Sequence, residues 1–500
     1  MQCVYPVKGD DMNFRLLFYA KSVDTRCLVC YHINNTLFIT DYTWKGNDMR
    51  LNIDEQYKKA LASEILNNNR VDPKYYTRYD VKRGLRNADG TGVVAGITNI
   101  CNVHGYVMNE GEKQDIEGEL YYRGYSITDI VDSVEAEGRF GFEEVVYLLL
   151  MGSLPSVEQL RHFNAAIAQN RELPDGFFED MILKAPSRDI MNKIARSILA
   201  LYSYDDSPET KAPEDELLTA ISIISKLPVI VASAYQVKRR FFDGKTMYMH
   251  QVRPEETTAE TLLSLLRYDR KFTYEEAQLL DLMLMLHAEH GGGNNSAFAC
   301  RVLTSSGTDP YSAYSAAIGA LKGPRHGGAN IKVLEQLDYL KANIQNWSDE
   351  GEVRDMLRKI LLKEAGDRTG LIHGMGHAVY TISDPRAVIL KREARKLAAG
   401  TPYEAELGLL EAVERNAGEI FAEVTGKEKT LCANVDMYSG ICYRMLKIPD
   451  ELATALFATA RIAGWSAHRV EERLTGARII RPAYKAISKP KPYQPLEERG

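Results

Sequence analysis

The stretch EEAQLLDLMLMLHAEHGGGNNS, residues 275–296, joins a long apolar run to a glycine triplet. Its first part consists of Glu, Ala, Gln, Leu and Met, which are strong helix formers, and it is long enough for a buried helix. Glycine allows positive φ and a close approach of the backbone to a ligand. The stretch therefore predicts a buried helix whose end opens into a functional site.

The same helical pattern dominates the chain from about residue 127 onward. The sequence FEEVVYLLLMG predicts a helix that ends at Gly152, and SVEQL opens the next helix. Further long helical patterns lie at 216–240, 309–323, 330–344 and 451–474. Because strands and helices do not alternate regularly, a doubly wound sheet is not expected. The pattern predicts a large all-α protein.

The N-terminal part differs from the rest. Residues 1–48 are rich in aromatic side chains and lack a helical period, so we expect a poorly ordered extension, with a small β-rich extension as the alternative. The sequence EQYKKALASEIL then predicts a helix that Asn52 or Asp54 caps. Short apolar runs at 93–100 and 103–109 predict strands or extended loops.

The composition excludes several classes of protein. The chain has 500 residues and a net charge of −6, without the basic excess of a nucleic-acid binder. Seven cysteines are too few for a disulfide scaffold, and the single pair Cys27 and Cys30 is weak evidence for zinc. Neither a secretory signal nor an apolar run of membrane-spanning length is evident. We therefore expect a cytoplasmic protein.

Five of the ten histidines lie between residues 287 and 377, and most are next to glycine. They occur in HAEHGGGNN, GPRHGGAN and HGMGHAVY. A single histidine is more often structural, but three such clusters indicate proton transfer near neutral pH. The clusters therefore predict an active site.

Other known motifs fail in detail. HAEH lacks the spacing and the glutamate base of a zinc protease, and no G-x-S-x-G accompanies HGGG. Val379 occupies the third glycine position of a dinucleotide-binding fingerprint, and Arg239 occupies the first glycine position of a phosphate-binding loop.

The histidine segments and their surroundings resemble the citrate synthase family. The resemblance runs through LHAEHGGGNNS, GTDPYSAYSAAIGALKGPRHGGAN, GLIHGMGHAVYTISDPR, NVDMYSG and ALFATAR in order, and also through LYYRGYSITDIV and FEEVVYLLLMGSLP upstream. It covers about residues 75 to 485 and is highly specific. It implies condensation of acetyl-CoA with oxaloacetate, or of propionyl-CoA in the related 2-methylcitrate synthases.

Three positions match the family's catalytic residues. His326 matches the histidine that hydrogen-bonds the thioester carbonyl, and Asp436 matches the base that removes a proton from the acetyl methyl group. His377 matches the histidine that polarises the ketone of oxaloacetate. A non-catalytic member of the fold would be expected to lack at least one of these residues, and none is lacking.

Further positions match ligands of the substrates. For oxaloacetate and citrate these are His290, Asn294, Arg386, Arg461 and Arg481. For coenzyme A they belong to the loop LIHGMG and include Leu371, Gly374, Met375 and Gly376. Ala378 and Thr381 stand where the family often has a basic residue that meets the phosphates of coenzyme A.

The resemblance also implies the architecture and the assembly. It implies two helical domains with the site between them, a homodimer in which Arg481 reaches the partner's site, and no metal or cofactor beyond the thioester. The expected segments are an N-terminal extension at 1–48, a large domain at 49–327 and 448–490, a small domain at 328–447, and a tail at 491–500.

Overall fold

The computed structural model of the chain divides into two compact units, residues 1–81 and 82–500. The structure describes residues 17–19, 26–33, 36–43, 55–87, 90–110, 112–209, 212–427, 430–476 and 478–498.

The first unit contains a three-stranded antiparallel sheet and two helices. Strands β1 to β3 are Leu17–Tyr19, Arg26–Ile33 and Thr36–Thr43, with β2 in the centre, and helices α1 and α2 are Glu55–Asn68 and Lys74–Arg78. The helix predicted after Met49 is confirmed, whereas its caps Asn52 and Asp54 lie outside the described residues. The strands agree with the β-rich alternative for this segment, and the poor order expected of residues 1–48 stays a prediction.

The second unit begins with a small antiparallel sheet. Its strands are β4 Cys101–Asn109, β5 Glu112–Tyr122 and β6 Tyr125–Ser126, with β5 between the other two. The apolar run at 103–109 lies in β4, whereas the run at 93–100 forms a loop.

Helices make up most of the second unit, and the all-α prediction is confirmed. The helices are α3 Ile127–Ala136, α4 Phe142–Met151, α5 Val157–Gln169, α6 Ile190–Leu201, α7 Pro213–Phe242, α8 Thr258–Leu266, α9 Tyr274–His287, α10 Asn295–Ser305, α11 Pro310–Lys322, α12 Ala329–Asn343, α13 Glu350–Leu361, α14 Pro385–Ala398, α15 Tyr403–Thr425, α16 Asp436–Met445 and α17 Ala453–Leu474. A π-helical segment, Phe178–Leu183, precedes α6, and 3-10 turns lie at Arg83–Leu85, Tyr202–Tyr204, Asp450–Leu452 and Leu496–Glu498.

Local sequence signals account for many of the helix ends. Helix α4 ends at Gly152 with φ 84°, as predicted, because glycine adopts the left-handed conformation without a steric penalty. Ser156 and Gln159 form a capping box at the start of α5, and Thr273 and Glu276 form another at the start of α9. Helix α9 is therefore fixed at its start, and its C-terminus delivers the histidine segment.

Helices α7 and α17 run through the core. Helix α17 packs against α4, α7, α9, α10 and α11, and it buries Trp465 completely. Helix α7 is long and apolar enough to span a membrane by length and composition, which the sequence analysis did not anticipate. However, 67% of its most apolar window is buried inside the protein, as in the core helix of a globular domain.

Candidate active site

The site is built from helix ends. His290 follows α9, Asn294 caps α10, His326 follows α11, and Asp436 is the first residue of α16. Arg461 lies within α17 and is only 1% exposed. The ends of helices have unpaired backbone groups, and the chain changes direction there. Short segments from distant parts of the sequence can therefore meet at helix ends and form a site.

The predicted site residues interact with each other. The rings of His290 and His377 meet edge to face with centroids 5.1 Å apart. The charges of Arg386 and Arg461 act on the pKa of both His290 and Asp436. The structure therefore brings these five residues together, and His326 joins them through the charge of Arg461, which helps to lower its pKa.

His377 is held as a neutral hydrogen-bond donor. Its Nδ1 atom accepts hydrogen bonds from the backbone N–H groups of Val379 and Tyr380, both at 3.0 Å. Burial lowers the pKa of His377 to about 4, and the nearby charge of Arg386 contributes. With Nδ1 acting as an acceptor, the ring proton resides on Nε2, which is free to donate to a substrate oxygen.

His326 is also neutral near pH 7. Its Nε2 atom lies 3.1 Å from the hydroxyl oxygen of Ser296, which accepts a hydrogen bond from the indole N–H of Trp465 at 3.1 Å. Burial lowers the pKa of His326 to about 4, with a smaller contribution from the positive charge of Arg461. A ring whose Nε2 is occupied by Ser296 has Nδ1 as its remaining hydrogen-bonding atom.

Asp436 is a carboxylate with weakened acidity. Burial raises its pKa to about 6, while the charge of Arg386 and a hydrogen bond from Asn330 act in the opposite direction. Its backbone N–H donates to the side-chain oxygen of Asn434 at 3.1 Å. Asp436 is therefore a stronger base than an exposed aspartate, yet it is largely ionised above pH 6.

Arg386 is fixed in place by Asp384. Its Nε and Nη2 atoms donate to the two carboxylate oxygens of Asp384 at 3.0 and 2.7 Å, and both side chains are buried. Asp384 also accepts from the backbone N–H of Arg386 as the N-cap of α14. This bidentate pair orients the guanidinium group rigidly within the site.

Arg461 has two buried donors without partners. Its Nε donates to the carbonyl of His287 at 2.6 Å, but its Nη1 and Nη2 atoms have no hydrogen-bond partner among the described residues. The guanidinium lies over the ring of Phe457, 4.7 Å from its centroid. Because an unpaired buried charge is costly, these donors indicate a binding site for an anion such as a carboxylate.

His290 and Asn294 have different surroundings. The Nε2 atom of His290 is buried and unpartnered among the described residues, and burial lowers the pKa of His290 well below its usual value. It is thus available to a ligand. The side-chain oxygen of Asn294 instead accepts from the backbone N–H and the hydroxyl of Ser296, at 3.2 and 2.8 Å, so Asn294 supports the partner of His326.

The loop that resembles a coenzyme A-binding segment is clamped next to the carboxylate base. Gly374 and Gly376 adopt φ of +85° and +89°. Gly376 donates its N–H to the carbonyl of Cys432 at 2.7 Å, and the backbone N–H of Asn434 donates to the carbonyl of Gly374 at 2.9 Å. Met375 pairs with Ala433, whereas Leu371 is 57% exposed. The loop is therefore tied to the segment that leads into α16.

Arg481 is the remaining residue that the sequence predicts as a ligand of oxaloacetate. It is exposed, follows the end of α17, and makes no hydrogen bond or ion pair with the described site residues. Its assignment as a substrate ligand stays a prediction.

Sequence reasoning missed several supporting residues. Asp384, Ser296, Trp465 and Asn434 hold the predicted site residues in place. The Asp-Pro pair at 384–385 is a helix-start signal, and it could have placed Asp384 next to Arg386. Trp465 could not have been linked to His326, because the contact joins residues far apart in the sequence.

In the part of the chain that the structure describes, no group of three or more His, Cys, Asp or Glu side chains is arranged to hold a metal ion.

Comparisons with known proteins identify the family of the chain. Residues 87–483 match the family model described as citrate synthase, C-terminal domain. The citrate synthase of Haloferax volcanii is 34% identical over 391 residues, covering 76% of this chain and 93% of that protein. The 2-methylcitrate synthase 1 of Corynebacterium glutamicum is 31% identical over 428 residues, covering 84% of this chain and 98% of that protein.

Solved structures give the same answer. The citrate synthase of Thermotoga maritima aligns with a TM-score of 0.65 and 30% identity, covering 84% of this chain and 99% of that one. A ternary complex of carboxymethyl coenzyme A and oxaloacetate with the citrate synthase of Thermoplasma acidophilum aligns with a TM-score of 0.67 and 27% identity, at the same coverage. The chain belongs to the citrate synthase family and is an acyltransferase-type enzyme.

Proposed function

We propose that the protein is a citrate synthase, which converts acetyl-CoA, oxaloacetate and water to citrate and coenzyme A. The observation that carries the proposal is the pair of unpartnered buried donors of Arg461 among two neutral histidines and the raised-pKa carboxyl of Asp436. This arrangement suits a carboxylate substrate that reacts with a weak carbon acid.

The first step forms an enol or enolate of acetyl-CoA. Asp436 removes a proton from the methyl group, and its raised pKa strengthens it as a base. Negative charge then develops on the thioester oxygen. His326 stabilises that oxygen through its Nδ1–H when Ser296 directs its single hydroxyl proton to Nε2 of His326 instead of to Asn294.

The second step joins two carbon atoms. Arg461 and Arg386 hold the carboxylates of oxaloacetate, and His290 contributes its free Nε2 atom. The enolic carbon attacks the ketone carbon, whose π electrons move to oxygen. The Nε2–H of His377 donates to that oxygen, which takes up one proton, balancing the one that Asp436 removed, and becomes the hydroxyl group of citryl-CoA.

The third step is hydrolysis. Water attacks the thioester carbonyl of citryl-CoA, the carbon–sulfur bond breaks, and the products are citrate and coenzyme A. Loss of the thioester drives the overall reaction forward. Water must be kept from acetyl-CoA before condensation, and His326, His377 and Asp436 are each mostly shielded from solvent, although none is completely buried.

A 2-methylcitrate synthase is the second candidate, and relatives with that name support it. Such an enzyme uses the same residues with propionyl-CoA. One extra methylene changes discrimination by only about 1–3 kcal/mol, so a few side chains around the acyl group decide between the two substrates.

We further propose a homodimer in the cytoplasm. The exposed position of Arg481 supports the dimer, because a partner subunit's site would give this side chain a role. Cys101, Cys300, Cys432 and Cys442 are free thiols, which supports a reducing compartment.

The variant Asp436→Ala tests the catalytic assignment. Citrate is measured by mass spectrometry after incubation with acetyl-CoA and oxaloacetate. We expect citrate from the parent enzyme and at least about a thousandfold lower rate from the variant, because general-base catalysis is lost. Citrate formation near the parent rate by Asp436→Ala would refute Asp436 as the base.

A further inference from the structure

The carboxylate of Glu289 is completely buried next to His290, a residue of the proposed oxaloacetate site. Glu289 precedes His290, and its Oε1 atom accepts hydrogen bonds from the backbone N–H of Gly291 at 2.5 Å and from Nε2 of His468 at 2.9 Å. The hydroxyl of Tyr122 holds the backbone on both sides of this residue, since it contacts the N–H and the carbonyl of Glu289. None of the reaction steps above uses this carboxylate.

The hydrogen-bonding direction of His468 is fixed from its other side. Arg301 donates from Nε and Nη2 to the Nδ1 atom of His468, at 3.1 and 2.7 Å. The ring proton is therefore on Nε2, and His468 donates it to Glu289. Arg301 is anchored by ion pairs with Glu471 and Glu472. A continuous chain of polar groups thus runs from α17 to the turn beside His290.

Three glycines make room for this chain of polar groups. Gly291 has φ +86°, which turns the backbone so that its N–H reaches Glu289. A Cβ atom at Gly292 would lie 3.2 Å from the ring of His468. A Cβ atom at Gly464 would overlap the Oε2 atom of Glu289. Gly292 and Gly464 are therefore needed for the close approach of Glu289 and His468, and Gly291 is needed for the turn itself.

We infer that Glu289 is a positioning residue of the dicarboxylate site, because its Oε1 atom, oriented by His468, holds the Gly291 turn that carries His290. The inference rests on the proposed function, since it assigns His290 to oxaloacetate. This role requires an acceptor atom in the side chain at position 289 that reaches both the N–H of Gly291 and the Nε2–H of His468. The negative charge of Glu289 has a separate effect: it stabilises the charged form of Arg461, and each of the two residues affects the pKa of the other.

The substitutions Glu289→Gln and Glu289→Met distinguish the effect of a hydrogen-bond acceptor from the effect of side-chain volume. Gln keeps an oxygen that can accept from both Gly291 and His468, whereas Met fills similar space without an acceptor. For Glu289→Met we expect the KM for oxaloacetate to rise at least about tenfold, as for a lost charge-assisted hydrogen bond, with the KM for acetyl-CoA within about twofold. For Glu289→Gln we expect both values within about threefold of the parent.

Glu216 provides a matched control away from the site. It is a buried carboxylate that pairs with Arg469 on α17 at 2.8 and 2.9 Å. Glu216→Met should lower the melting temperature without changing either KM. If Glu289→Met fails to fold, His468→Phe removes the donor that orients Glu289 and should raise the KM for oxaloacetate about threefold or more.

The outcomes distinguish this inference from the proposed function. An unchanged KM for oxaloacetate in Glu289→Met, or in His468→Phe if that variant has to be used, would overturn the positioning role while the parent stays active. An equal rise of the KM for oxaloacetate in Glu289→Met and Glu289→Gln would also overturn it, because the lost negative charge, and not the lost acceptor atom, would then explain the defect. A parent enzyme without any condensation activity would refute the proposed function and this inference together.

Discussion

The Nδ1 atom of His377 accepts the backbone N–H of Tyr380 at 3.0 Å, and the two rings stack with their centroids 4.5 Å apart. A ring that accepts at Nδ1 and has a pKa of about 4 is neutral at physiological pH. It therefore offers one N–H, at Nε2, in a fixed direction. The proposed polarisation of the ketone depends on this geometry.

The pH dependence of kcat should follow Asp436 instead of the histidines. Asp436 acts as a base only when ionised, so kcat should rise with pH through a pKa of about 6. His326 and His377, with pKa values of about 4, stay neutral throughout this range. Steady-state rates between about pH 5 and 8 check this expectation. A flat profile across that range would contradict the role of Asp436.

We expect Asp436→Asn to be less active than the parent but more stable at pH 7. Burial raises the pKa of Asp436 in the folded state above its unfolded value, so folding favours the protonated form. The resulting penalty is complete above pH 6 and vanishes as the pH falls below the unfolded pKa. We expect the variant to be more stable than the parent at pH 7, by on the order of 2 kcal/mol, but not at pH 3. Urea unfolding at both pH values measures the difference, and lower stability of the variant at pH 7 would contradict this account.

Arg461→Met should weaken oxaloacetate binding selectively. The variant loses two buried donors that are unpaired in the free enzyme, each worth about 1.5–3 kcal/mol to a bound carboxylate. We expect the KM for oxaloacetate to rise at least about a hundredfold, with the KM for acetyl-CoA nearly unchanged.

The control for this variant is Arg469→Met, eight positions further along the same helix. Arg469 is equally buried but fully engaged with Glu216 and the carbonyl of Thr308. Its loss should destabilise the fold by about 3–5 kcal/mol and leave both KM values unchanged. Similar kinetic defects in both variants would show that Arg461 acts through the fold alone.

Gly374→Ala should impair the use of acetyl-CoA. Gly374 has φ +85°, and a Cβ atom would lie 2.8 Å from the sulfur of Met437, next to Asp436. We expect the KM for acetyl-CoA to rise by about fivefold or more, since the loop must shift. In Gly400→Ala the strain is similar, with φ +70°, but no described atom lies within 4 Å of the new Cβ. That variant should lose about 1 kcal/mol of stability without a kinetic effect, and equal KM values in the two variants would argue against the loop assignment.

The sequence predicts the helices well because their signals are local. The apolar run before His287 and the glycine that ends α4 specify a helix and its end within a few residues. The domain boundaries near residues 327 and 447 stay a prediction. From the sequence, strands β1 to β3 are expected only as an alternative, because an aromatic-rich stretch without alternation gives no clear strand signal.

The site was predictable only in part. Glycine-flanked histidines indicate a site from the sequence alone, but nothing local distinguishes Asp436 from an ordinary helix-capping aspartate. Its pKa depends on burial and on arginines from α14 and α17, which only the fold brings near. The same is true of the Glu289–His468 pair, which joins residues 179 positions apart.

The most direct test of the central claim is the steady-state release of coenzyme A by the purified enzyme, with and without oxaloacetate, from acetyl-CoA and propionyl-CoA in parallel. The account predicts release that requires oxaloacetate and a higher kcat/KM for acetyl-CoA. A clear preference for propionyl-CoA would contradict the assignment as a citrate synthase. Release that is independent of oxaloacetate, or no release at all, would contradict the condensation itself.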